Sequence, residues 1–183
     1  MSLKPPPDRR KFADAWDEIE YLRDKLLYWL YQRQDKDKAR PYADRLARLL
    51  ADADPEHEAL LGEECWSLVH EAKGDLAKAI QHREREIELI RRLHDLAQNE
   101  LHRDAMLRGY GLEDLTDRLD LLGVLYHDSG NLDKAVSTLE QSKRICRQQG
   151  LPFDGADLLR DYGKEKSGLD WNSRKEKGLA TGR

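Results

Sequence analysis

Two short stretches of this chain are near copies of one another: GDLAKAI, from Gly74 to Ile80, and GNLDKAV, from Gly130 to Val136. In each, a glycine precedes a side chain that can cap a helix, and apolar residues at helical spacing follow. Glycine supplies the left-handed residue that ends a helix, and Asp75 or Asn131 offers an oxygen to the bare amides that open the next one. Both copies therefore predict a tight join between two antiparallel helices. A chain with two such joins is committed to helix hairpins.

The apolar residues agree with that reading. From Phe12 a stripe runs through Ala15, Trp16, Ile19, Leu22, Leu26, Leu27, Trp29 and Leu30, which predicts a first helix ending near Gln34. Asp35 or Asp37 caps a second, whose buried face is Ala39, Ala43, Leu46, Ala47, Leu49 and Leu50, with Pro41 fitting only in its first turn. Asp54 and Pro55 open a third, carrying Leu60, Leu61, Cys65, Trp66, Leu68, Val69 and Ala72 up to Gly74. A fourth begins at Asp75 and meets no breaker before Gly109, so the spacing predicts either a long helix to 108 or a break near Asn99. After the turn RGYG a fifth helix spans 112–129, and a sixth follows Gly130 and stops at Gly150 and Pro152. No segment alternates with period two for long enough to make a strand, and the expected fold class is all-α, built of antiparallel helix hairpins.

At 183 residues the chain can bury one core of ordinary size, and the helical domain is assigned to 12–163. A proline-rich arm, 1–11, precedes it, and a basic tail, 164–183, with Trp171 as its one large apolar anchor, follows. Charged residues make up 37% of the chain, but outside the ends the two signs are interspersed, as on long solvated helices. The net charge of -4 divides into +3 at each end and -10 in the body between them. An acidic body repels phosphate backbones, which argues against nucleic acid as a partner. No apolar run approaches the roughly 20 residues of a membrane span, and the N-terminus lacks the apolar stretch of a signal peptide. The expectation is a soluble, cytoplasmic protein in which Cys65 and Cys146 are buried thiols.

Residues 119–142, LDLLGVLYHDSGNLDKAVSTLEQS, carry Leu122, Gly123, Tyr126, Gly130, Ala135 and Leu139 at the spacing of the tetratricopeptide repeat. The chain resembles that family over residues 12–149. In the preceding pair Gly74, Leu76 and Ala79 are in place, with Trp66 and Leu68 as bulk, but Ser67 replaces the glycine, His70 the tyrosine, and Arg83 falls where an apolar residue is expected. The first pair fits by setting Ala39 where Ala79 and Ala135 stand, although it has no joining glycine. The steps of 40 and 56 residues exceed the family's usual repeat of about 34, which implies lengthened hairpins like those of the longer-helix variants in cytoplasmic scaffolds.

The resemblance implies an α-solenoid of about three helix pairs acting as a non-catalytic protein-binding module, with no cofactor. Carried over pair by pair, the family's concave positions fall on Tyr21, Asp24, Tyr28, Tyr31 and Gln32, then on Leu61, Glu64, Leu68, Glu71 and Ala72, then on Asp117, Asp120, Val124, His127 and Asp128. That face is acidic, with tyrosines at one end. The resemblance then implies a basic or amphipathic peptide or helix as ligand, and argues against a clamp for C-terminal carboxylates. A solvated face is the other reading of the acids, and packing against a neighbouring helix the other reading of the tyrosines. The tail from Lys164 is itself a basic candidate for the groove, and Trp16 and Trp29 make the first helix the expected surface of a homodimer.

The runner-up is a metal-dependent or enzymatic function on the fifth helix, where Asp117, Asp120 and His127 share a face. The string His102-Arg103-Asp104 matches a kinase catalytic loop only in isolation, because no glycine-rich phosphate loop accompanies it. His82, Glu86, His94 and His102 on the fourth helix read as surface residues.

Overall fold

The computed structural model describes residues 11–52, 59–99 and 111–167. The regular elements among them are all helical: α1 (Ala15–Leu27), which runs on into a π-helical turn (Tyr28–Gln32), then α2 (Lys36–Asp52), α3 (Ala59–Lys73), α4 (Leu76–Asn99), α5 (Leu112–Asp128), α6 (Leu132–Gln149) and α7 (Ala156–Lys166). The fold class is all-α. Most of the arm, the Asp54–Pro55 helix start, the continuation of the fourth helix past Asn99 with His102 and most of the RGYG turn, and the tail from residue 168 with Trp171 lie outside the described residues. The chain divides into two compact units, one up to Leu89 and one from Ile90 onward.

The joins are where sequence and structure meet most closely. Gly74 takes the left-handed conformation at φ 82°, the Asp75 amide donates to the His70 carbonyl at 2.9 Å, and the Asp75 carboxylate accepts from the Lys78 amide at 3.3 Å. In the second unit Gly130 stands at φ 81°, the Asn131 amide donates to the Tyr126 carbonyl at 2.8 Å, and the Asn131 side chain accepts from the Lys134 amide at 3.1 Å. A third join is similar, without a glycine and with its closing amide bond reaching back six residues instead of five. Gln34 is left-handed at φ 49°, the Asp35 amide donates to the Trp29 carbonyl at 2.8 Å, and the Asp35 carboxylate accepts from the Lys38 amide at 3.0 Å. Gln34, Gly74 and Gly130 thus stand at the same 40- and 56-residue steps as Ala39, Ala79 and Ala135.

A side chain in the left-handed region is strained by about 1–2 kcal/mol, of which glycine's greater freedom in the unfolded chain would return about half. Gln34→Gly is therefore expected to stabilise the first unit by about 0.5–1 kcal/mol. A later midpoint of urea unfolding checks it; an earlier one would mean that the Gln34 side chain makes compensating contacts.

One expectation is corrected. Pro41 lies inside α2, beyond its first turn. The carbonyl that loses its donor, four residues back, belongs to Asp37, an exposed residue at the very start of the helix, where water takes the amide's place. As expected, α6 stops at Gly150, and after a short non-helical stretch a further helix, α7, follows.

In the first unit Ile19, Leu22, Leu26 and Leu30 meet Ala39, Ala43, Leu46 and Leu50 of α2 and Cys65, Leu68, Val69 and Ala72 of α3. Ala39 and Ala43 of α2 are fully buried, so the helices approach there without bulk between them. The second unit is organised by the α5–α6 hairpin, in which Leu115, Leu119, Leu122 and Leu125 are buried together with Ala135, Leu139 and Cys146, and α7 packs on α6. Both cysteines are free and buried.

Candidate functional site

In the first unit Arg83 stands at the centre of a buried polar cluster. Arg83 has no exposed surface at all, and Glu86, one turn further along α4, is only 1% exposed. The Arg83 Nη1 donates to the Glu86 carboxylate. Glu64 and Glu71, from α3, and the Tyr31 hydroxyl, from the π-helical turn, are the other groups that act on it. Tyr31 donates its hydroxyl proton to Glu71, and Arg23 on α1 brings its Nη1 to 3.9 Å from Glu64.

A buried guanidinium is costly unless opposite charges surround it. Here burial pulls the Arg83 pKa down, but Glu86, then Tyr31, Glu64 and Glu71, hold it above its ordinary value, so the group stays charged. Burial, and next the Glu71 carboxylate, hold the Tyr31 hydroxyl well above its own usual range, which keeps it a neutral donor. Among the described residues the Nε and Nη2 atoms of Arg83 have no hydrogen-bond partner, so charge balance rather than full hydrogen bonding carries this cluster.

Glu64, Leu68 and Glu71 are 6%, 0% and 3% exposed. In place of an open acidic groove on α3, the structure shows two acids turned inward upon Arg83, Arg23 and Tyr31. The other substitutions are accommodated as well. Ser67 is fully buried and donates its hydroxyl to the Ala79 carbonyl on α4 at 2.9 Å. His70 lies parallel to His82, with ring centroids 5.3 Å apart, beside Trp66, and His82 places Nδ1 2.7 Å from Glu63. Burial, and then His82, lower the His70 pKa.

The remaining residues expected on the first pair are engaged with close neighbours. Tyr21 meets Phe12 at 5.3 Å between centroids and lies under the buried Lys25, Tyr28 packs edge-on against Trp29, and the exposed Asp24 pairs with Arg23 at 2.9 Å. Trp16 and Trp29 both pack against the core of the unit, and the Lys38 ammonium sits 5.0 Å over the Trp29 ring. Gln32 and Leu61 are partly buried, and Ala72 is buried.

On α5, Asp117 and Asp128 are exposed, while Asp120, Val124 and His127 are partly covered. Carboxylates crowd the start of this helix. Burial first, and then Asp114, Asp154 and Glu113, raise the Asp117 pKa against Arg118. One oxygen of Asp120 is buried without a hydrogen-bond partner. Burial first, with Asp117 and Asp154 adding to it and Ser142 and the Gly155 amide opposing, pushes Asp120 up to about 6. At the other end of the helix His127 stacks flat on Tyr162 of α7, centroids 3.9 Å apart, with Nε2 2.9 Å from Glu165 and Nδ1 3.5 Å from Asp128. Burial, then Asp128 and Glu165, push the Tyr162 hydroxyl up to about 12.

Asp117, Asp120 and His127 therefore do not converge, and among the described residues no three His, Cys, Asp or Glu side chains are placed to hold a metal ion. Sequence reasoning missed the partners of this face, Phe153, Gly155, Tyr162 and Glu165. Their signal was thin: three large apolar residues, Leu158, Leu159 and Tyr162, in an eleven-residue helix. No helix among the described residues is long and apolar enough to cross a membrane. Compared with protein-family models, with curated proteins and with solved structures, the chain matches none.

Proposed function

We propose that this chain is a tetratricopeptide-like, non-catalytic interaction module that binds a basic or amphipathic peptide or helix. The repeat reading is supported by three similar joins, each with a left-handed residue followed by a capping side chain, at steps of 40 and 56 residues. It is supported also by the close approach at Gly123, where an added methyl would stand 2.9 Å from Leu139 Cγ. The sign of the ligand rests on one observation, the crowding of Glu113, Asp114 and Asp154 around the exposed Asp117. Carboxylates that repel one another are relieved by an incoming cation, which makes this end of α5 the place for lysine or arginine side chains.

Fluorescence anisotropy with a labelled Lys/Leu helical peptide tests the proposal against a Glu/Leu peptide of the same length. The basic peptide should bind, more weakly as salt is raised. Asp117→Asn together with Asp154→Asn should weaken it about threefold to tenfold, since each exposed ion pair contributes about 0.2–1 kcal/mol. Equal affinity for the two peptides, or no effect of the double change, would remove the charge argument.

A further inference from the structure

Part of the α5 face that the proposed ligand would use, at Asp120 and at His127, is already covered by the chain itself, while Asp117 at its start stays exposed. The segment after α6 brings Gly155 against Asp120, with the Phe153 ring beside the same glycine: a methyl placed on Gly155 would stand 3.0 Å from both Asp120 carboxylate oxygens. Two turns further along, α7 lays Tyr162 on His127 and sets Glu165 against its Nε2. The groups facing Asp120 are Asp117 on its own helix, Ser142 on α6, and Asp154 and the Gly155 amide in the covering segment. Those around the His127–Tyr162 stack are Asp128, Asp161 and Glu165.

We propose that residues 153–166 form a strap over α5, an internal occupant of the binding face whose hold loosens when Asp120 ionises. Closing the strap takes water from a carboxyl group that keeps one oxygen without a donor and has two further carboxylates beside it. The neutral acid tolerates that site, and the carboxylate does not. With the strap closed Asp120 titrates at about 6, against 3.8 in water. The raised value means that protonation favours the closed strap fully below the solvated value and ceases to favour it as pH rises through the closed one. The strap's use as a regulator rests on α5 being the binding helix; its pH-dependent opening does not.

Hydrogen exchange of the full chain, followed by mass spectrometry over residues 156–166 and corrected for the intrinsic pH dependence of exchange, tests this without any peptide. Opening of that segment should be about tenfold greater at pH 7.5 than at pH 5. Asp120→Asn, which cannot ionise, should hold the segment closed at both values, within about twofold. The variant leaves the His127–Glu165 pair intact, so a pH dependence arising from the histidine would survive it. Equal opening of the native chain at the two pH values, or an unchanged pH dependence in Asp120→Asn, overturns the strap. A strap that opens as described while the basic peptide fails to bind would overturn the ligand and leave the strap standing.

Discussion

Replacing Arg83 by alanine is expected to destabilise the first unit by about 3–5 kcal/mol, the usual consequence of removing one partner from a buried ion pair. Three carboxylates, Glu64, Glu71 and Glu86, lie in the field of this one guanidinium, and all three are buried. Without it Glu64 keeps Arg23 and Glu71 keeps the Tyr31 hydroxyl, but the Glu86 carboxylate loses the donor bonded to it. Urea unfolding followed by tryptophan fluorescence reads the loss, because Trp16, Trp29 and Trp66 all pack against the core of this unit. Arg83→Leu combined with Glu86→Leu should restore at least half of the loss, since a buried pair exchanged whole for apolar residues is often neutral. A cost below about 1 kcal/mol for Arg83→Ala would mean that Arg83 reaches water, as exposed pairs do.

That cluster also marks where the sequence could be read and where it could not. The hairpin joins were legible because glycine beside a capping residue is local chemistry, and Gly74–Asp75 and Gly130–Asn131 form as their types require. The first join was hidden because Gln34 reaches the left-handed region without glycine, and its alignment rested on Ala39 alone. The acids of α3 were misread for a different reason. Glu64 and Glu71 share a face with Leu68, and spacing reports which residues share a face but not whether water or another helix lies over it. The information that they turn inward lay in Arg83, Arg23 and Tyr31, on other elements, and Arg83 registered in the sequence only as a departure from an apolar pattern. The α5 acids were placed on the correct helix, but the short α7 that covers part of their face carries too few apolar residues to announce itself.

Leu139→Ala is expected to cost about 2–5 kcal/mol, as a fully buried leucine leaves a cavity, and to reverse the sign of a second substitution. A methyl at Gly123 would stand 2.9 Å from Leu139 Cγ, 3.0 Å from its Cδ2 and 3.6 Å from the Ala135 carbonyl oxygen. In the native chain Gly123→Ala gains about 1 kcal/mol of helix propensity but forces the leucine aside, and overpacking of this kind costs about 1–3 kcal/mol. With Leu139 already alanine the two nearest atoms are gone and the propensity gain remains. A double-mutant cycle, read by urea unfolding with far-UV circular dichroism, should therefore show Gly123→Ala destabilising alone and stabilising beside Leu139→Ala. The same effect in both backgrounds would mean that α5 and α6 do not meet at this glycine. The first unit contains the natural counterpart of this cycle. Fifty-six residues earlier, Ser67 and Arg83 keep the spacing of Gly123 and Leu139. There the extra side chain is accepted because its hydroxyl reaches the Ala79 carbonyl and because no leucine occupies the facing position. Arg83 instead donates along its own helix to Glu86. Ser67 thus meets α4 through a hydrogen bond, where Gly123 meets α6 by close approach alone.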